Sequence, residues 1–149
     1  RNNPGGLLDQ SIKVSDALLD AGGIVSTRGR KNGHTYSATF GDVMRSLPIV
    51  VLVNRGSASA AEIVAGALKD LDRALLVGEK TFGKGSVQTI IPLEGKQALK
   101  LTTALYYTPL GNTVDGGITP HIVVEMDDTL EGDEQLMRAL KEIRRLSEN

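Results

Sequence analysis

The sequence predicts an α/β domain with a mostly parallel sheet, flanking helices and a β-hairpin. Three observations carry this. Residues 48–54 are nearly all β-branched or Leu, the pattern of a strand covered on both faces. An Ala-rich helical stretch, 60–69, follows within a few residues. Further along, short apolar runs alternate with helical periodicities, as they do in β-α-β units. At 149 residues the chain is long enough for one domain with a substantial core.

The elements follow in order. Residues 2–6 are turn-forming. Leu7, Leu8, Ile12, Val14, Leu18 and Leu19 recur at helical spacing, and Gly22-Gly23 stops that helix. Residues 24–27 form a short strand, 28–34 a polar turn, and 35–40 its partner strand. After the strand at 48–54 and the helix comes another buried strand, 74–77. Strands at 87–92 and 98–108 flank a Glu94-Gly95-Lys96 turn, the expected hairpin. Residues 112–117 form a loop and 122–125 a last strand. Leu136, Leu140 and Ile143 mark one face of a terminal helix capped near Asp133.

Composition narrows the chemistry. Apolar residues make up 40% with no Trp, two Phe and three Tyr, so Val, Ile, Leu and Ala must build the core. A net charge of −1 and no long basic block argue against a nucleic-acid partner, and residues 28–31 read as a solvated loop. The absence of cysteine removes thiol nucleophiles, disulfides and thiolate metal sites. No apolar run reaches membrane-spanning length. The opening Arg-Asn-Asn-Pro-Gly-Gly reads as a loop that follows a strand, so the chain is expected to be a piece of a longer protein.

The most informative run is Val-Asn-Arg-Gly-Ser-Ala-Ser-Ala-Ala-Glu, residues 53–62. It places serines where a strand gives way to a helix. There a nucleophile gains a helix N-terminus, free backbone N–H groups and access to solvent. A serine hydroxyl needs a neighbouring base. His34 lies in a polar turn and His121 reads as a surface residue, and neither has a recognisable acidic partner, so a Ser-His-Asp triad is poorly supported. Lysine is the other base, once neutral. Bringing a lysine pKa from about 10.4 to near 7 takes roughly 4–5 kcal/mol, which burial in an apolar site supplies. Lys84, between Gly83 and Gly85, is the obvious candidate.

Lys84 also ends a run, residues 78–84, that fits the start of a phosphate-binding loop. The next residue should be Ser or Thr and is Gly85, and a strand follows where a helix is required, so nucleotide binding fails on two counts. A plain glycine-rich turn is the simpler local reading. Glu62, three residues after Ser59, either caps the helix or serves the site. Gln88, four residues after Lys84, could hold its amine. The backbone of Gly5-Gly6, with Ala60 N–H, could form an oxyanion hole, or the glycines could be an ordinary turn.

Together these segments carry a resemblance. Arg-Asn-Asn-Pro-Gly-Gly (1–6), Gly-Ser-Ala-Ser-Ala-Ala-Glu (56–62), Gly-Glu-Lys-Thr-Phe-Gly-Lys-Gly-Ser-Val-Gln (78–88) and Leu-Lys-Leu-Thr-Thr-Ala (99–104) occur in order, followed by Tyr-Tyr-Thr-Pro (106–109) and Gly-Ile-Thr-Pro (117–120). The chain resembles the carboxyl-terminal processing (tail-specific) serine peptidases up to about Val124. The resemblance implies a crotonase-like α/β core, as in the Clp protease subunit, and a Ser-Lys dyad with no cofactor or metal. Ser59 matches the nucleophile, Lys84 the base, Gln88 the supporting glutamine and Glu62 the motif glutamate. The backbone of Ala60 and of Gly5 or Gly6 matches the oxyanion donors.

The same resemblance implies cleavage of protein substrates near apolar C-terminal tails in the bacterial periplasm, at the cell surface or in the thylakoid lumen. It implies a PDZ domain upstream in the longer protein, and it leaves a homo-oligomer open. His121 stands where the family usually has an acidic residue. The rival readings are an acyl-CoA enzyme on the same fold and an inactive scaffold.

Overall fold

The computed structural model describes residues 1–45, 47–126, 129 and 132–148. Its elements run α1 (Leu8–Ala17), β1 (Gly23–Gly29), β2 (Gly33–Ser37), β3 (Val50–Val53), α2 (Ala60–Asp70), β4 (Leu75–Gly78), β5 (Ser86–Pro92), β6 (Ala98–Tyr107), β7 (Ile122–Val123) and α3 (Glu134–Ser147). A single 3-10 turn, Glu94–Lys96, closes the β5–β6 hairpin.

The α/β class read from the sequence holds, with the strands divided between two sheets. The parallel sheet has the order β3-β4-β7; its β4 is largely buried, β3 half-buried, and the two-residue β7 leaves Val123 exposed. The other sheet, β2-β1-β6-β5, is antiparallel. The expected hairpin is its β5–β6 edge. Two short connections force hairpins at β1–β2 and β5–β6, and β1 pairing with β6 joins them. α2 is the β-α-β crossover from β3 to β4.

The core lies where α2 meets both sheets. Ile24, Val53, Ile63, Leu68, Leu76 and Val114 are all nearly or fully excluded from solvent. No helix among the described residues is long and apolar enough to cross a membrane.

Three elements depart from the periodic pattern, each for a polar reason. In α1 the buried positions are Ser11 and Ser15, while Val14 faces out. Small residues let α1 lie close against the Ala-rich α2, and Ser11 Oγ is satisfied by the Leu8 carbonyl (2.7 Å). The second strand ends at Ser37 rather than running through 40. The carboxylate of Asp16 takes Thr39 N–H and that of Asp20 takes Gly41 and Asp42 N–H, which turns the chain away and leaves Phe40 exposed. In α3 the expected cap is present, with Asp133 accepting Leu136 N–H (2.9 Å). The buried positions are Gln135, Ala139 and Glu142, however, and Leu136 and Leu140 remain about two-fifths exposed.

Candidate active site

The turn between β3 and α2 is fastened by side-chain amides. Asn54 Oδ1 accepts the N–H of Asn2 (2.9 Å) and of Gly56 (3.0 Å), and Asn54 Nδ2 donates to Asn2 Oδ1 (2.8 Å). Ala58 N–H donates to the Asn3 carbonyl (2.9 Å). The loop 1–6 is thereby laid along the turn that carries both serines.

The two serines differ in environment. Ser57 is buried, and its hydroxyl accepts Asn54 N–H at 3.2 Å. It is a turn residue with its oxygen engaged. Ser59 is half-buried at the N-cap of α2, with φ 56° and ψ −119°. A non-glycine residue in that region is strained, and such strain persists only where surrounding contacts enforce it. Here they do: Ser59 N–H is held by Glu62 Oε2 (2.8 Å), while the Ser59 carbonyl accepts Glu62 and Ile63 N–H.

Glu62 is the hub. Its carboxylate is fully buried yet saturated with donors. Besides Ser59 N–H, it accepts Lys84 N–H (2.9 Å) on Oε2, and Gly83 N–H (2.7 Å) and the Thr81 hydroxyl on Oε1. One charge therefore ties the serine turn to the Gly-Lys-Gly turn. Thr81 extends the network, accepting Ile118 N–H (2.7 Å). Gly85 is pressed against the next loop, where an added Cβ would come within 2.3 Å of Asp115 N.

Gly5, at φ +98°, packs on Ser59 so closely that a Cβ would meet Ser59 Cβ at 2.8 Å and Ala60 N at 2.9 Å. Its own N–H is engaged by Asn3 Oδ1 (3.0 Å). Among the described residues, Gly6 N–H and Ala60 N–H donate no hydrogen bond. Lys84 and Gln88 are exposed. The Gln88 amide donates to Thr102 Oγ1 (2.7 Å) across the β5–β6 pair and to Ser86 Oγ (3.1 Å) on its own strand, rather than to the Lys84 amine.

Sequence reasoning had no role for Thr81, Asn54 or Asn3. The signal was present as turn-forming Asn residues beside glycines, and as a threonine three residues before Lys84. Sequence reasoning read His121 as a surface residue, which it is; the added finding is that His121 Nδ1 accepts Leu76 N–H (3.0 Å) and prolongs the β4–β7 pairing as a side chain.

Residues 1–124 match the model of Peptidase family S41. A carboxy-terminal-processing protease of Bartonella bacilliformis is 62% identical over 128 residues, covering 84% of this chain and 30% of that protein. A carboxyl-terminal-processing protease of Picosynechococcus is 44% identical over 128 residues, covering 85% and 31%. Among solved structures, a photosystem II D1 C-terminal processing protease superposes with a TM-score of 0.81 at 38% identity, over 93% of this chain and 36% of that one. This chain spans about a third of the length of such relatives, and on the family match and the 62% relative it belongs to peptidase family S41.

Proposed function

We propose that this chain is the C-terminal part of the protease core of a serine endopeptidase that cleaves proteins near apolar C-terminal tails by a Ser-Lys dyad. Ser59 Oγ attacks the scissile carbonyl and its proton passes to neutral Lys84 Nζ. The oxyanion accepts hydrogen bonds from Ala60 N–H and, with Gly5 N–H already engaged, from Gly6 N–H. The C–N bond breaks, and the leaving amine takes the proton from Lys84. Lys84 then deprotonates water to hydrolyse the acyl-enzyme. Gln88 orients the amine once substrate is bound.

The observation that carries this reading is the buried Glu62 carboxylate, which holds the backbone N–H of Ser59 and of Lys84 on the same oxygen, Oε2. The exposed Lys84 amine must be covered to become neutral, and the remaining two-thirds of the longer protein, or bound substrate, supplies that cover. A PDZ domain upstream receives the tail, the site of action is the bacterial cell envelope, and protomers can associate.

The test uses the full-length protein. A fluorophosphonate probe should modify Ser59, as read by peptide mass spectrometry. Ser59→Ala and Lys84→Ala should each abolish cleavage of a protein with an apolar tail. Absence of an adduct at Ser59 in an active preparation, or undiminished cleavage by Lys84→Ala, overturns the dyad. Turnover of CoA thioesters in place of polypeptides would support the acyl-CoA reading instead.

A further inference from the structure

We infer that Asp133 and Gln135 of α3 are positioning residues for the oxyanion turn, acting through Arg1; this rests on the peptidase reading. Both terminal nitrogens of the Arg1 guanidinium reach the Asp133 carboxylate, one on each oxygen, with Nη1 at 2.8 Å from Oδ1. Nη1 also donates to Gln135 Oε1 (3.1 Å). Gln135 is wholly excluded from solvent, and its amide nitrogen is spent on the Val124 carbonyl (2.8 Å). Its oxygen therefore has a fixed direction, toward Arg1.

Arg1 thus ties to α3 a segment that is also fastened by Asn2 on Asn54 and Asn3 on Ala58, and that leads to the Gly5-Gly6 turn against Ser59 and Ala60. A planar fork held by a carboxylate and an amide at once fixes the Arg1 side chain in one orientation. An ion pair this exposed, with side chains 24% and 33% accessible, adds little to stability. Its consequence is geometric. The family match ends at residue 124, so the anchor comes from outside the matched region.

Asp133 also caps α3, so the variant of choice is Asp133→Asn, which keeps a capping oxygen for Leu136 N–H and loses the charged fork. In the full-length protein, Asp133→Asn and Arg1→Met should each lower kcat about tenfold, with KM within about twofold, since small displacements of a positioned group cost that much or more. The Arg1→Met/Asp133→Asn double variant should be no slower than either single variant, because the pair acts as a unit. Phosphonylation of Ser59 should slow in parallel, thermal stability should hold, and Asp133→Glu should recover part of kcat. Arg138→Ala, elsewhere on α3, should leave kcat unchanged. Wild-type kcat in Asp133→Asn, or additive losses in the double variant, overturns the inference while leaving the dyad intact. Cleavage that survives Ser59→Ala instead sinks the peptidase reading beneath it.

Discussion

Ser57 and Ser59 stand two positions apart in a motif where either hydroxyl could be the nucleophile, and their surroundings separate them. Ser57 spends its oxygen on Asn54 N–H in the interior. Ser57→Ala should cost about 1 kcal/mol of stability, the usual value of such a bond, and should weaken cleavage without abolishing it. Chemical denaturation alongside a cleavage assay reads both, and a dead but fully stable Ser57→Ala would reverse the choice of nucleophile. Glu62 is the harder test of the site. Its oxygens face three N–H groups and one hydroxyl. Glu62→Gln points an NH2 group at some of those donors, so it should destabilise by about 3 kcal/mol and remove activity. A Gln variant of normal stability would mean that the network is not the hub described here.

At the scale of elements, the site is two turns, a loop and a helix start held in register by close backbone contact. Gly5 shows how tight the register is. A methyl group there would overlap Ser59 and Ala60, on a backbone at φ +98° that side chains seldom adopt. Gly5→Ala should therefore reduce kcat by about tenfold or more. Gly23→Ala, where an added Cβ meets nothing within 4 Å, should be silent. Equal effects of the two would show that the Gly5 contact is not limiting.

This is also the scale at which the sequence was most and least legible. Strands β3 and β4 and helix α2 were plain because hydrophobic burial writes itself into composition. The division into two sheets was not, since β1 pairing with β6 depends on partners nearly eighty residues apart. In α1 the apolar spacing found Leu8, Ile12 and Leu18, which do pack against the core, but it missed Ser11 and Ser15 beside them, as it missed Gln135 in α3: these are buried by virtue of hydrogen bonds or small size, which periodicity of apolar residues does not register. The candidate site residues stood out as motifs, but their junction through Glu62 and Thr81 did not, because both are interior polar groups whose partners lie about twenty residues away.

For the molecule as a whole, His121 predicts how stability should depend on pH. Its Nδ1 accepts the Leu76 N–H between β4 and the start of β7, which requires the neutral ring. Burial lowers its pKa below the ordinary 6.5, the Lys69 charge lowers it further, and Asp72 opposes them. The unfolded chain therefore takes up a proton that the folded state resists. Stability should be full above about pH 6.5 and should decline as the pH falls from there through the folded value. Asp133 and Glu142 have pKa values lowered mainly by hydrogen bonds from Arg1 and Arg145, so their contributions fade only below the ordinary carboxylate range and do not overlap this window. Melting temperatures should accordingly drop between pH 7 and pH 5.5 in the parent protein. His121→Asn, which offers an amide oxygen that does not titrate, should flatten the profile. An unchanged slope in His121→Asn would assign the pH dependence to some other group and reduce His121 to a surface contact.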